Sequence, residues 1–128
     1  MLSMKTIENK LGSFELHETL VIARFAEGID LGFENVPEIT EMLSDHFDRP
    51  FGWIADRVNR YSVDPYIVRM ILDETPKLSS WCNVVHKETL IDHLPFVKQV
   101  APKDFPKASF KRLQEAIDWT EKQVARIS

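Results

Sequence analysis

The fold of this chain is decided by residues 51–65, which read Phe51-Gly52-Trp53-Ile54-Ala55-Asp56-Arg57-Val58-Asn59-Arg60-Tyr61-Ser62-Val63-Asp64-Pro65. An apolar run with its centre at 53–55 predicts a core strand. The polar and charged residues after it are typical of a loop. Asp64 and Pro65 then indicate a helix start, because aspartate caps the first turn and proline fits its first position. Strand, loop and helix in succession are the repeating unit of an α/β sheet.

The N-terminal part of the chain predicts two more strands and a helix. Residues 13–16 and 19–25 are rich in β-forming side chains and are separated by two polar residues, which indicates a hairpin. Residues 20–23 are continuously apolar, as in a strand buried on both faces. Apolar side chains recur at helical spacing over residues 33–47, where Asn35 and Glu38 are spaced as in a capping box. We therefore expect a helix over 33–47.

The C-terminal half continues this alternation. The helix that begins at Pro65 should end at Thr75, because the residue before a proline is pushed out of the helical region. Residues 81–85 predict a third core strand, and residues 88–101 are helical in period, with their regular part beginning near Asp92. Residues 105–110 predict a short edge strand, since Pro106 suits an edge. The apolar spacing over residues 113–124 predicts a C-terminal helix.

These elements together predict an α/β fold. Their order is β-β-α-β-α-β-α-(β)-α, which implies a mixed sheet that is mostly parallel, with an antiparallel N-terminal hairpin strand and about four helices. We expect residues 1–128 to form a single domain.

Composition narrows the class of protein. The 128 residues include sixteen basic and twenty acidic side chains, a net charge of −4 that does not favour nucleic acid as a partner. Cys82 is the only cysteine, so an intramolecular disulfide is impossible and a reducing cytoplasm is the simplest location. No apolar run approaches the ~18 residues that span a bilayer. We expect a soluble, cytoplasmic protein without a membrane span.

The layout resembles a known family. An N-terminal hairpin followed by βα units is similar to the STAS fold of the anti-sigma-factor antagonists. More closely, the chain resembles the STAS/SEC14-type (SpoIIAA-like) small bacterial proteins of unassigned function. Two motifs support this resemblance: residues 54–65, quoted above, and Leu113-Gln114-Glu115-Ala116-Ile117-Asp118-Trp119. The resemblance implies regulation through protein–protein contacts, and a related fold carries lipids.

The resemblance also implies a phosphorylation switch. In the antagonists a serine at the start of the helix after the second core strand is phosphorylated, which turns partner binding off. Ser62 is the nearest match, and the helix N-terminus together with Arg57 and Arg60 would favour a phosphate there. The chain departs from the family pattern, because Tyr61 and Val63 flank the serine. The alternative is that Ser62 is a turn or capping residue.

The loop after the second core strand is the candidate binding surface. Open α/β sheets place ligand crevices at the carboxyl ends of their parallel strands, and arginine and tyrosine are common interface anchors. The alternative is local: Asp56 pairs with an arginine or caps the loop, and Tyr61 packs its ring. The candidate residues are Asp56, Arg57, Asn59, Arg60, Tyr61, Ser62 and Asp64.

No catalytic, metal or cofactor motif is recognisable. His17, His46, His86 and His93 are scattered, without the i, i+4 spacing of a zincin helix. Cys82 lies in an apolar strand and is expected to be a buried small hydrophobe. The glycines stand singly, so no phosphate-binding loop is predicted. We expect a protein that is not an enzyme and that holds no cofactor or metal.

Aromatic side chains leave two function classes open. Most of them should be core, and a surplus around Phe51, Trp53 and Trp81 would cover a homodimer surface or line an apolar pocket. The first class is a non-catalytic regulatory module that binds another protein, or itself as a homodimer, through the loop. The second is a small carrier of a lipid-like apolar ligand.

Overall fold

The computed structural model describes residues 4–87 and 94–127. In chain order the elements are β1 (Lys5–Asn9), β2 (Gly12–Leu16), β3 (Leu20–Phe25), β4 (Asp30–Leu31), a 3-10 turn (Phe33–Asn35), α1 (Val36–His46), β5 (Phe51–Arg57), β6 (Ser62–Val63), α2 (Pro65–Glu74), β7 (Leu78–Val85), α3 (Leu94–Val100), β8 (Lys107–Phe110) and α4 (Leu113–Ile127).

Six of the strands form one sheet in the order β1-β2-β3-β5-β7-β8. β1 pairs with β2 and β2 with β3 in antiparallel fashion, whereas β3, β5, β7 and β8 pair in parallel. β4 and β6 form a separate parallel pair. The predicted α/β class is therefore confirmed, with a mixed sheet that is antiparallel at its N-terminal strands and parallel elsewhere. The described residues contain four α-helices.

β5 lies in the middle of the parallel part of the sheet, and all seven of its residues are buried. Because successive side chains of a strand point to opposite faces, Trp53 and Ala55 pack on one face and Ile54 packs on the other. α1, α2 and α3 supply apolar side chains to the first face, and α4 packs on the second. No helix in the described part of the chain has the length and apolar character needed to cross a bilayer.

The local signals around α2 are confirmed. The Asp64 carboxylate accepts a hydrogen bond from the backbone N–H of Tyr66 at 3.0 Å, and α2 begins at Pro65. The capping box predicted for the first helix is wrong. The Asn35 side chain instead accepts from the N–H of Gly32 at 3.0 Å, so a 3-10 turn precedes α1.

The two edges of the sheet differ in how well the sequence indicates them. Nothing in the sequence indicates β1, because four of its five side chains are exposed and its pairing with β2 holds it in place. β8 lies at the opposite edge, as predicted, and Pro106 stands just before it. The predicted helix start near Asp92 lies outside the described residues, and α3 is observed over Leu94–Val100.

α4 lies close to the sheet at Gly52. A Cβ atom at this position would lie 2.2 Å from Cγ2 of Thr120 and 2.6 Å from Oγ of Ser80. Both neighbours are fully buried, so neither has free space to move into. The hydrogen side chain of Gly52 therefore sets the distance between β5 and α4.

We predict that Gly52→Ala destabilises the protein by about 1–3 kcal/mol, the usual cost of forcing an extra carbon into a filled core. Thr120→Ser removes one of the clashing atoms and should recover part of this loss. Urea unfolding of both single variants and the double variant measures the coupling. Strictly additive losses would contradict the contact between these two residues.

Candidate functional site

The loop after β5 is tied to the segment after β3 by backbone hydrogen bonds. The N–H of Gly28 donates to the carbonyl of Arg60 at 2.6 Å. Farther along, the N–H of Ser62 donates to Ile29 at 3.0 Å and that of Asp64 donates to Leu31 at 3.1 Å. These bonds include the β4–β6 pairing and lie beyond the carboxyl ends of β3 and β5. We call the two segments, residues 26–31 and 58–64, the clip.

Side chains reinforce the clip. The Asn59 amide donates to the carbonyl of Phe25 at 3.0 Å, and the Glu27 carboxylate accepts from the backbone N–H of Arg60 at 2.9 Å. The Ser62 hydroxyl donates to the Asp30 carboxylate. Of the predicted site residues, Asn59, Ser62 and Asp64 therefore have structural partners that hold the loop in one conformation.

The sequence predicts that Asp56 and Arg57 belong to the binding surface. This prediction is wrong for both residues, because neither is exposed. Their exposed fractions are 3% and 2%. β5 runs to Arg57, two residues past the predicted strand centre, and it is flanked there by β7. The alternation of a strand sends the two side chains to opposite faces of the sheet. Each charge is therefore buried in a different environment.

Asp56 is the centre of an ion-pair chain on the face that α4 covers. Its carboxylate accepts from Nε of Arg24 at 2.8 Å and lies 2.5 Å from Nε2 of His86. Arg24 also pairs with Glu15, whose second neighbour is His17 at 3.3 Å. The alternative in which Asp56 pairs with an arginine is thus the observed one. That arginine comes from the adjacent strand β3 and not from the loop.

The ion pairs around Arg24 shift the pKa values of Arg24 and Glu15 toward the charged forms. The hydrogen bond from Arg24 lowers the pKa of Glu15, although partial burial of the carboxyl opposes this effect. Partial burial disfavours the charged form of Arg24, but the hydrogen bonds to Glu15 and Asp56 outweigh burial and raise its pKa. The Arg24 guanidinium therefore stays ionised at neutral pH, and it gives the buried carboxylate of Asp56 a positively charged partner.

Arg57 points into the other face, beneath α2. Its guanidinium carbon lies 4.2 Å from the centre of the Tyr61 ring, which also packs against Phe25 with ring centres 5.2 Å apart. Burial raises the pKa of Tyr61 to about 12, Asp56 adds to the rise, and Arg57 partly opposes it. The Tyr61 hydroxyl therefore stays protonated. The local alternative, in which Tyr61 packs its ring, is confirmed.

A cavity lies between this face of the sheet and α2. Its room for water-sized molecules is about 40 Å³. The parallel rings of Trp53 and Trp81, with centres 4.8 Å apart, form part of its floor. Its polar lining comes from Arg57, Tyr61 and Asn83. The indole N–H of Trp53 is buried and has no hydrogen-bond partner among the described residues.

The outer side of the clip presents apolar side chains to solvent. Among the described residues five large apolar side chains are exposed, and Phe33, Val58 and Tyr66 lie at or beside the clip. The other two, Met4 and Ile127, are near the ends of the described chain. Arg60 and Ser62 of the clip are also exposed. We call this surface the rim; its residues are Phe33, Val58, Arg60, Ser62 and Tyr66.

Two of the candidate binding residues, Arg60 and Ser62, are exposed and belong to the rim. Phe33, Val58 and Tyr66 are not among the residues that the sequence indicates. Phe33 and Tyr66 join the rim because β4 and β6 run parallel, so the residues that follow each strand leave the clip at the same end. The spacing of apolar residues in α2 could have indicated that Tyr66 is exposed, because Ile67 and Val68 occupy the buried face of the helix.

The remaining reactive side chains form no site in the described part of the chain. His46 bonds to the carbonyl of His17 at 3.0 Å, and no group of three or more metal-ligating side chains is found among the described residues. His93 lies outside them. Cys82 is fully buried, as predicted, and burial raises the pKa of its thiol to about 12 while a bond to Thr120 partly opposes the rise. The thiol is therefore protonated and shielded from reagents.

No protein-family model matches this chain, and comparison with curated proteins and with solved structures gives no match. The resemblance to STAS/SEC14-type proteins therefore stays a prediction.

We predict that Asp56→Asn destabilises the protein by about 1–3 kcal/mol, because it removes a buried charge on which Arg24 and His86 depend. The expected loss of stability is smaller than for a fully buried ion pair, because the side chains of Arg24 and His86 are both partly exposed. Asp73→Asn is the control: its pair with Arg69 is exposed and is worth less than about 0.5 kcal/mol. Equal losses for the two variants in urea unfolding would contradict the structural role of Asp56.

Proposed function

We propose that this chain is a non-catalytic regulatory module, of the SpoIIAA-like (STAS-like) kind, that binds a partner protein through the rim. One observation carries the proposal: of the five exposed large apolar side chains of the described residues, Val58 lies in the clip, and Phe33 and Tyr66 each lie two residues beyond an end of it. Exposed aromatic side chains and arginine are residue types that protein interfaces favour.

The clip makes the rim suited to binding. Association is weakened when a loop must be ordered at the same time. Here Arg60, Ser62 and Asp64 are held by hydrogen bonds to the opposite segment of the clip. Phe33 and Tyr66 are attached to the ends of that paired structure. The rim therefore offers a partner a surface whose backbone is already in place.

The proposal assigns Ser62 a part in the clip. The phosphorylation that the family resemblance implies would replace the bond from Ser62 to Asp30 with a phosphate beside that carboxylate, and Asp64 lies two residues away. Both carboxylates repel a phosphate. Arg57, which would have paired with it, is buried beneath Tyr61. A phosphate on Ser62 would therefore not be stabilised by the charge of Arg57. It would act by breaking the bond between Ser62 and Asp30 and so opening the clip.

The alternative function, a carrier of a lipid-like ligand, has a cavity in its favour. That cavity holds about 40 Å³, room for roughly three water molecules when each needs about 10–15 Å³. A lipid chain needs far more space, so α2 would have to move away from the sheet. Native mass spectrometry of the purified protein distinguishes the two: a co-purified lipid favours the carrier.

We predict that a photo-crosslinking amino acid at position 66 captures a specific protein in the source cell, whereas the same amino acid at position 127 does not. Both native side chains are exposed, at 64% and 56%, so position 127 is a matched control for accessibility. Mass spectrometry identifies the adduct, and a second copy of this chain is one of the partners expected. Light scattering on the purified protein then shows whether Tyr66→Ala abolishes a dimer.

Identical adducts at positions 66 and 127, or none at position 66, would contradict binding through the rim. Tyr66→Ala should leave the free energy of unfolding within about 0.5 kcal/mol of wild type, as for other surface substitutions. Loss of the adduct in a variant this stable therefore reports on binding and not on folding.

A further inference from the structure

One side of β1 has no partner strand among the described residues, because β1 lies at an edge of the sheet. Asn9 and Gly12 pair directly across a two-residue turn, so they exchange backbone hydrogen bonds. Hydrogen-bonded positions alternate along an antiparallel pair, so every second residue counted back from Asn9 bonds to β2. The N–H and C=O groups of Thr6 and Glu8 therefore point away from the sheet, where a further strand could bind them.

The two edges of the sheet differ in their protection. Natural sheets block an edge with proline, a bulge, charged side chains or a covering element. At the β8 edge Pro106 stands directly before the strand, and all four residues of β8 are half-buried. β1 contains no proline, and its pairing with β2 is unbroken along the whole strand. Four of its five side chains are exposed, and its protection is limited to the charges of Lys5 and Glu8.

These charges restrict how a second copy of β1 can pair with the first. A two-fold axis, the usual symmetry of a dimer, runs the two strands antiparallel and places one residue opposite its own copy. If that residue is Glu8, two like charges face each other, which is unfavourable. If it is Thr6, Glu8 and Asn9 extend beyond the end of the other strand.

The register centred on Ile7 avoids both problems. All five residues of β1 then have a partner in the second copy. Thr6 lies opposite Glu8, so the backbone groups that point away from each sheet exchange hydrogen bonds. Lys5 lies opposite the neutral side chain of Asn9, and no like charges face each other. The sequence of β1 is therefore complementary to itself in this register.

Ile7 is also the apolar side chain that a second strand would cover. It is half-buried and packs against the core on the face that α1 covers. A cleft with room of about 100 Å³ lies beside it, and its lining residues are Lys5, Ile7, Leu16, Met42, Asp45 and His46. Opposed side chains of an antiparallel pair have Cβ atoms about 4.5–5.5 Å apart. The two Ile7 side chains would therefore bury each other at the open side of the core.

We propose that two copies of this chain associate through β1, as an antiparallel pair centred on Ile7 that joins the two sheets into one. The pairing adds about four backbone hydrogen bonds between Thr6 and Glu8 of the two copies. The interface is small, so the dimer is weak and reversible. It goes beyond the proposed function, because it uses none of the rim residues.

Disulfide formation between copies tests the register. Opposed residues of an antiparallel pair have Cα atoms about 4.5–5.5 Å apart, which a disulfide can bridge. We expect Ile7→Cys to form a covalent dimer under mild oxidation. Asn9→Cys is the matched control: it lies on the same face and is exposed, but its two copies are about 13 Å apart along the strands. Cys82 is fully buried and should not react.

A second experiment tests the backbone hydrogen bonds. Thr6→Pro removes an N–H that faces away from β2, so the hairpin should keep its own bonds. In analytical ultracentrifugation the wild-type mass should rise with concentration toward twice that of one chain. We expect Thr6→Pro to raise the dissociation constant at least tenfold, whereas Thr6→Ala, which keeps the N–H, should stay within a few-fold of wild type. If Thr6→Pro does not fold, the cysteine variants give the answer.

Four results would overturn the proposal. The first is a monomer at the highest soluble concentration, with no covalent dimer of Ile7→Cys. The second is equal yields from Ile7→Cys and Asn9→Cys, which indicates random collision. The third is a higher yield from Thr6→Cys or Glu8→Cys, which indicates another register. The fourth is a dimer that Tyr66→Ala abolishes and Thr6→Pro leaves intact, which would support the rim and refute pairing through β1.

Discussion

The structure depends on the complete burial of β5. A strand with all seven residues buried ends in two charges, and its alternation sends one charge to each face of the sheet. Burying a charge is costly unless partners surround it. On one face Arg24 and His86 meet the Asp56 carboxylate. On the other face Arg57 lies over the Tyr61 ring beneath α2. Elements distant in sequence must therefore converge at this one point.

The burial of β5 also determines which side chains remain at the surface. Because Asp56, Arg57 and Tyr61 pack inside the fold, the recognition that we propose falls to the outer residues of the loop and to the residues that flank the β4–β6 pair. The clip fixes these residues in space through backbone hydrogen bonds. The interior side of the same loop closes the cavity beneath α2. One loop thus separates the exposed rim from a buried cavity whose lining is mostly apolar.

The sequence predicts those parts of the fold that short-range signals determine. The apolar runs of β3, β5 and β7 and the Asp64 cap of α2 fall into this group, since burial and capping leave local patterns. β1 is polar and exists through pairing, so no local pattern indicates it. The partners of Asp56 come from β3 and from the residue after β7, and only the strand order brings them together. The sequence therefore indicates where the loop lies, but it does not indicate that Asp56 and Arg57 are buried at the end of β5.

Amide hydrogen exchange of the free protein tests the central claim, that the loop after β5 is a preformed element. The N–H groups of Gly28, Ser62 and Asp64 donate across the clip. They should exchange far more slowly than in an unstructured peptide, and their protection should approach that of the β5 amides. Exchange of these three amides at the unstructured rate, with β5 still protected, would show that the clip does not form in solution. The rim would then not exist as a surface before binding, and the account would be contradicted.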